Sequence, residues 1–192
     1  MRRRDWILRG VISSYNYRMA LVVFLRGVNV GGHRTFRPSL LAKELSAFDV
    51  MNIGAAGTFV VRKPGTQAKF RAALVSKLPF ETGIAICEGR EILRLETEHP
   101  FGSKPKPADI TRFVTVMPKS GGAGPTIPFS LPPTGQWLVR IIGAQGRYVF
   151  GEYRRHMKTI GYLGQLDKEF KGKGTTRNWN TMMTIVKVLR KG

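Results

Sequence analysis

A chain of 192 residues, 42% of them hydrophobic and 23% charged, has the composition of a globular protein with one domain or two small lobes. Lysine and arginine number 32 against 12 aspartate and glutamate. The resulting net charge of +20 favours nucleic acid or another polyanion, an anionic membrane or an acidic partner, and the alternative is a basic surface with no particular function. A single cysteine excludes an internal disulfide, and no apolar run is long enough to span a bilayer, so we expect a cytoplasmic protein with no membrane partner.

Residues 1–18 differ from the rest of the chain. They are rich in arginine and nearly free of acidic residues, like an organellar presequence, but they lack the apolar core of a secretory signal. Met19 stands directly before the first clear strand pattern. We therefore interpret residues 1–18 as an N-terminal extension, either disordered or an upstream start of a protein that naturally begins at Met19.

The residues that follow alternate between strand and helix patterns. In chain order, the predicted elements are a buried strand at Ala20–Arg26, a helix from Pro38 with an apolar stripe at Leu40, Leu41, Leu45 and Phe48, two strands joined through Gly54–Gly57, a helix capped by Thr66 and ending at Pro79, a strand at Gly83–Cys87 and a helix stopping before Pro100. This β-α-β-β-α-β order is that of a ferredoxin-like unit, in which an antiparallel sheet carries both helices on one face. We assign it to a first lobe over residues 19–103.

Residues 104–192 are predicted to form a smaller second lobe, also of α+β type. We expect a strand at Ile110–Met117, followed by a flexible loop rich in glycine and proline. The next apolar stretch predicts a hairpin that turns at Ala144–Gly146, and two helices are expected at Thr159–Phe170 and Asn180–Lys191. The predicted fold class of the chain is therefore α+β.

Three motifs carry a resemblance to a known family. They are LRGVNVGG at Leu25–Gly32, GAAGTFVVR at Gly54–Arg62 and TTRNWNT at Thr175–Thr181, and we call them the first, second and third motifs. With the intervening His99–Phe101, their order and spacing resemble the bacterial family catalogued as domain of unknown function 1697. The resemblance implies a two-lobed α+β fold related to ferredoxin-like units and no particular activity. Many members have a Gln-Ser-Gly-Asn run where this chain has Ala55–Thr58, so this chain lacks those amides.

The first motif is a candidate anion-binding loop. Its glycines let backbone N–H groups approach an oxyanion closely, and the helix start beyond it adds partial positive charge. The residues of this hypothesis are Arg26, Gly27, Asn29, Gly31, Gly32, His33 and Arg34. Because neither the P-loop pattern nor G-x-G-x-x-G is present, a purely structural loop with a tight turn is the alternative.

The third motif is a second candidate site, formed by Thr176, Arg177, Asn178 and Trp179. Arg177 offers a planar fork for phosphate or carboxylate, and Trp179 offers an apolar face for stacking. The alternative is a helix-cap turn in which Thr176, Asn178 or Asn180 caps the last helix and Trp179 lies in the core.

A nucleic-acid function has one further indication in the first strand. The ribonucleoprotein fold shares the β-α-β-β-α-β order and stacks bases on aromatic residues of its first and third strands. Val23–Val28 resembles the short motif of that first strand. Gly57–Val60, however, lacks the leading basic residue and the aromatic residues of the third-strand signature.

Signatures of enzymes and metal sites are few. His33, His99 and His156 lie far apart and, with one cysteine, they give no metal-ligand spacing, so we predict no metal and no cofactor. Cys87 ends an apolar strand, which favours a buried thiol over a nucleophile.

Three classes of function stay open, and we favour the first, an anion-binding module that uses the glycine loop for a phosphate-bearing ligand or nucleic acid. The second is a small-molecule enzyme acting on a phosphorylated or carboxylated substrate between the lobes, which requires a cationic side chain of a motif to converge with Asn29 or Asn178. The third is a protein-interaction module, which predicts an exposed apolar patch rimmed by lysine or arginine.

Overall fold

The computed structural model describes residues 20–29, 36–103, 105–118 and 124–191. The described chain forms two compact units: the first runs to Thr97 and resumes at Met183, and the second comprises Glu98–Met182. Because such units are groups of mutual contacts and not separately folding pieces, the predicted lobes at 19–103 and 104–192 stay a prediction. The predicted extension over residues 1–18 lies outside the described residues.

The first unit contains the predicted ferredoxin-like sheet. Its elements are β1 (Leu21–Leu25), α1 (Pro38–Glu44), a 3-10 helix (Ser46–Phe48), β2 (Val50–Asn52), β3 (Thr58–Val61), α2 (Gln67–Lys77), β4 (Ile84–Glu88) and α3 (Gly89–Thr97). The strands are ordered β2-β3-β1-β4, and every neighbouring pair is antiparallel. The α+β class and the β-α-β-β-α-β order are therefore confirmed.

Local sequence signals place the helices of this unit. Pro38 begins α1, where its missing N–H leaves no hydrogen bond unmade. The Thr66 side chain accepts a hydrogen bond from the Lys69 backbone N–H at 3.1 Å, so the predicted cap is present. Leu40, predicted in the apolar stripe of α1, is 48% exposed, because the stripe is narrower than the leucine pattern indicates.

Apolar side chains bury both faces of the first sheet. Phe59 on one face packs with Phe70 and Leu74 of α2 in a fully buried cluster. On the other face, Phe24 and Cys87 are 0% and 1% exposed, and α3 contacts β1 and β4. The prediction of a buried Cys87 thiol is thus confirmed.

The second unit is built on a five-stranded antiparallel sheet. Its elements are β5 (Ile110–Val116), β6 (Phe129–Leu131), β7 (Val139–Gln145), β8 (Tyr148–Arg154), α4 (Thr159–Glu169) and β9 (Thr175–Asn178), and α5 (Trp179–Lys191) follows directly. The strand order is β6-β7-β8-β5-β9. One face of the sheet packs against α4 through a cluster that contains Phe113, Ile141 and Leu166.

Two strands and one turn in this unit differ from the prediction. β6 lies in the stretch predicted as a flexible loop, and β9 lies in the third motif, predicted as a turn. The predicted hairpin is present, but it turns at Gly146–Arg147, because β7 extends to Gln145 and pairs there with Tyr148. Among the described residues, no helix has the length and apolar character needed to cross a membrane.

Candidate functional site

The side chain of Asn29 joins the described start of the first motif to Phe36 and to the second motif. Its amide donates to the Phe36 backbone oxygen at 3.0 Å and to the Ala55 backbone oxygen at 2.7 Å. Its side-chain oxygen accepts a hydrogen bond from the Phe36 N–H, also at 3.0 Å. Asn29 therefore pairs with Phe36 much as one strand residue pairs with another, and both of its amide hydrogens have a protein acceptor.

The second motif lies against the first. The Leu25 N–H donates to the Gly57 oxygen at 2.8 Å, beside the contact between Asn29 and Ala55. Gly57 has a φ of +67°, and a Cβ at that position would lie 2.9 Å from the Leu25 Cβ, so glycine is required there. The structure thus brings together two motifs that the sequence separates by more than twenty residues.

Arg26 is positioned by the connection between α2 and β4. Its backbone N–H donates to the Gly83 oxygen at 2.9 Å, and its oxygen accepts a hydrogen bond from the Thr82 hydroxyl. A Cβ on Gly83 would lie 3.3 Å from the Arg26 Cβ and 3.5 Å from its Cδ. The aliphatic part of the Arg26 side chain therefore lies along the Gly83 backbone.

The remaining residues of the first hypothesis divide in two. Gly27 has a φ of +61° and Asn29 one of +54°, so the described start of the loop has the left-handed backbone expected of a tight turn. Gly31, Gly32, His33 and Arg34 lie outside the described residues. Anion binding by this loop stays a prediction.

The third motif is a strand followed by a capped helix. The Asn178 side-chain oxygen accepts from the Thr181 N–H at 2.8 Å, so Asn178 is the N-cap of α5 and its amide has a structural task. The hydroxyls of Thr176 and Thr115 are hydrogen-bonded at 2.8 Å across the β5–β9 pair. Trp179 packs edge-on against Phe101, with ring centroids 5.1 Å apart.

Arg177 is the buried cation of the third motif. Only 8% of its surface is exposed, and it donates to the Thr176 backbone oxygen at 2.9 Å. Burial lowers the pKa of Arg177 to about 10, because a charged guanidinium is poorly solvated there. Since this value lies well above neutral pH, Arg177 keeps its charge under ordinary conditions.

A row of charged side chains that the sequence reasoning missed crosses the second sheet. Glu152 of β8 lies opposite Arg140 of β7 and Arg112 of β5. Its carboxylate accepts from Arg140 at 2.7 Å and from Arg112 at 3.3 Å. The Glu152 side chain is only 10% exposed, so the two arginines supply the positive charge that a buried carboxylate requires.

Aromatic rings extend this row in both directions. The guanidinium carbons of Arg140 and Arg154 lie 4.6 and 4.5 Å from the Trp137 ring centroid, and Arg112 lies 5.3 Å from that of Phe101. Arg154 also pairs with Asp109. In the sequence, Arg140 alternates with the apolar residues Val139 and Ile141, which indicates a charged side chain on one face of a strand. The partners of Arg140 follow only from the strand register.

The described histidines, His99 and His156, and Cys87 do not form a cluster. His99 and His156 are exposed, and the His156 Nδ1 accepts a hydrogen bond from the Lys158 N–H at 3.2 Å. Across the part of the chain that the structure describes, no group of three or more His, Cys, Asp or Glu side chains could hold a metal ion. His33 lies outside that part.

The sequence of this chain matches a known protein family. Residues 19–123, more than half of the chain, match the family model described as "Protein of unknown function (DUF1697)". The chain belongs to this family. The first and second motifs lie within the matched residues, and the third lies beyond them. Among curated proteins, none matches the sequence.

The fold of this DUF1697 protein has a solved counterpart. The chain is similar to a structure described as the conserved bacterial protein SP0830 from Streptococcus pneumoniae, with a TM-score of 0.51 and 14% sequence identity. The similarity covers 88% of this chain and 98% of that one. At this identity the likeness shows a shared fold.

The described strands of the first sheet in this DUF1697 chain do not expose the aromatic residues that a ribonucleoprotein fold uses. Base stacking of the ribonucleoprotein type needs exposed aromatic residues on the sheet face opposite α1 and α2. Phe24 on that face is 0% exposed, and Phe59 on the opposite face is 1% exposed. The resemblance of Val23–Val28 to the ribonucleoprotein motif was therefore misleading, because an alternating buried strand has the same pattern.

Proposed function

We propose that the end of the first sheet where the first and second motifs meet binds a small anion bearing phosphate or carboxylate. The observation that carries the proposal is the hydrogen bonding of Asn29, which holds the left-handed backbone that begins at Gly27, beside Arg26. A backbone segment that hydrogen bonds already hold in place loses little conformational entropy when it binds a ligand.

The chemistry of this end of the sheet suits an oxyanion. Backbone N–H groups in turns with left-handed residues form concavities that bind anions, and an arginine adds a planar pair of donors. The net charge of +20 raises the local concentration of any anion around the protein. Arg26 and the loop backbone are therefore the proposed ligand contacts.

The sequence hypothesis places Asn29 among the anion-binding residues, whereas in this proposal Asn29 has a structural role. Both amide hydrogens donate to backbone oxygens, so Asn29 holds the backbone at Phe36 and Ala55 in place and does not contact the ligand. His33 and Arg34 continue the same loop in sequence and would add positive charge. The proposal thus separates residues that shape the loop from residues that bind.

Calorimetric titration with inorganic phosphate tests the proposal. Substitution of Arg26 by alanine should weaken phosphate affinity by about tenfold or more, because a charge-assisted hydrogen bond is lost. Arg71→Ala removes an exposed arginine from α2 of the same unit and is the matched control. It should change the affinity by no more than about twofold. Equal affinities for wild type and Arg26→Ala would overturn the proposal.

A short single-stranded oligonucleotide, titrated at several salt concentrations, extends the test to nucleic acid. If the loop contacts a phosphate of the strand, Arg26→Ala lowers the salt dependence of the affinity as well as the affinity itself. If Arg26→Ala and Arg71→Ala have the same effect, only the overall charge is being measured, and the loop is not the site.

A further inference from the structure

The turn that begins α4 exposes two large apolar side chains. Met157 is 94% exposed and Ile160 is 72% exposed, more than the other exposed large hydrophobic residues of the described chain, Leu40 and Val75. Exposed apolar side chains that lie together mark interaction surfaces more often than single ones do. We call the segment Arg155–Ile160 the basic turn.

The basic turn is held in place by hydrogen bonds. The Thr159 N–H donates to the His156 oxygen at 3.0 Å, and the Tyr162 N–H donates to the Lys158 oxygen at 3.3 Å. Thr159 is buried, and its hydroxyl donates to the Arg154 oxygen at 2.7 Å. Met157 lies just before α4 and Ile160 lies in its first turn, so the two exposed apolar side chains are three residues apart in the chain.

Positive charge surrounds the apolar pair. Arg155, His156 and Lys158 are all exposed. The sequence from 153 to 166 contains no acidic residue, although Arg154 pairs with Asp109 from another strand. Gly161 is exposed as well, and a Cβ built there meets nothing within 4 Å, so no bulky side chain beside Ile160 obstructs its approach to a surface.

These features favour a lipid surface over the other large anions. Nucleic acid is bound mainly through cations and aromatic stacking, and a protruding methionine or isoleucine contributes there only as a wedge that unstacks base pairs. A protein partner needs a pocket shaped to receive them, whereas a bilayer needs only side chains that protrude. Apolar residues inserted at the headgroup boundary, with lysine and arginine beside them, are the features of proteins that bind anionic membranes peripherally.

We propose that the basic turn docks this protein on an anionic membrane surface, with Met157 and Ile160 inserted among the lipids and Arg155 and Lys158 on the lipid phosphates. The expectation of no membrane partner was based on the absence of a spanning segment, and surface docking needs no span. The proposed anion site at the first and second motifs is a separate feature, and this inference does not depend on it.

Sedimentation with vesicles tests the docking. The protein should bind vesicles of 70% phosphatidylcholine and 30% phosphatidylserine and bind pure phosphatidylcholine weakly. Met157→Ser with Ile160→Ser should reduce binding to the anionic vesicles by about tenfold or more, because the buried apolar area is lost. Leu40→Ser with Val75→Ser is the matched control and should bind like wild type. Wild-type binding by the first double variant would overturn the proposal.

A fluorescent label reports whether the turn enters the lipid. Because Cys87 is 1% exposed, Met157→Cys can be labelled selectively with an environment-sensitive fluorophore. Anionic vesicles should shift its emission to shorter wavelength, and nitroxide-labelled lipids should quench it. A label at Leu40→Cys should not respond. A water-like emission from the bound Met157→Cys protein would mean electrostatic adhesion without insertion, which contradicts the proposal.

The remaining outcomes separate this surface from its alternatives. Arg71→Ala should bind the vesicles like wild type, and a loss equal to that of the double serine variant would contradict a specific docking turn. No vesicle binding at physiological salt would also overturn the proposal, and an acidic protein would then be the better partner for the same residues.

Discussion

The two sheets of this protein use their faces differently. In the first sheet, apolar residues bury both faces, and the five residues of β1 are all buried. In the second sheet, one face packs against α4, whereas the other carries Glu152 between Arg140 and Arg112 beside buried apolar residues such as Phe150. The first sheet is thus stabilised mainly by apolar burial, and its ion pairs join more exposed side chains, whereas in the second sheet a nearly buried carboxylate pairs with two arginines. The two units should therefore respond differently to substitution and to salt.

The largest expected effect comes from breaking the first sheet at Phe24. This side chain is 0% exposed, so Phe24→Ala leaves a cavity and should lower the free energy of unfolding by about 3–5 kcal/mol. Denaturant unfolding followed by circular dichroism measures the loss, which should persist at high salt. The control Leu40→Ala removes a half-exposed side chain and should change stability by no more than about 0.5 kcal/mol.

Loss of the negative charge of Glu152 should destabilise the second sheet. Glu152→Gln keeps the shape but leaves Arg112 and Arg140 without a counter-charge, which should cost about 2–3 kcal/mol. Unlike the loss at Phe24, this loss should shrink in 1 M salt, because salt screens the repulsion between the arginines. A loss of the same size at low and high salt would show that charge is not what Glu152 contributes.

Two asparagines of the motifs, Asn29 and Asn178, extend the comparison to hydrogen bonds. Asn29→Ala removes three hydrogen bonds to backbone groups and should cost about 1–2 kcal/mol. Hydrogen exchange should rise at the Phe36 N–H, which loses its acceptor. Asn29→Asp keeps that acceptor, so its Phe36 N–H should stay protected, and rapid exchange there would contradict the assigned role.

The smallest effect is expected at Asn178. Asn178→Ala removes the N-cap of α5 and should cost about 1 kcal/mol, measured by thermal or denaturant unfolding. Asn178→Asp keeps an oxygen acceptor and should restore the stability. A fully stable alanine variant would show that the cap is dispensable.

The sequence predicts the first unit better than the second, for physical reasons. β1, α2 and the turn at Gly54–Gly57 have strong local patterns, and local patterns suffice for the ferredoxin-like order. β9 is a run of polar residues, Thr175–Asn178, and it becomes a strand only because β5 pairs with it. β6 has three residues in a stretch rich in proline, too short for a periodicity to be visible.

The candidate sites depend on contacts that no local pattern contains. Asn29 is recognisable as special, but its partners at Phe36 and Ala55 are 7 and 26 residues away. Glu152 lies 40 residues from Arg112 and 12 from Arg140, and only the strand register brings them together. Met157 and Ile160 are apolar residues at helical spacing, which predicts burial, and their exposure depends on where α4 begins.

The division of the units within α5 has a consequence for synthesis on the ribosome. Met183–Lys191 belongs to the first unit, although the whole of the second unit precedes it in the chain. Ile185 and Leu189 are buried, so nascent protein lacks part of the first unit's apolar interior until after the second sheet has been translated. The first unit therefore cannot bury all of its apolar surface until Met183–Lys191 has been translated. It exposes that surface to chaperones for longer than its early position in the chain would suggest.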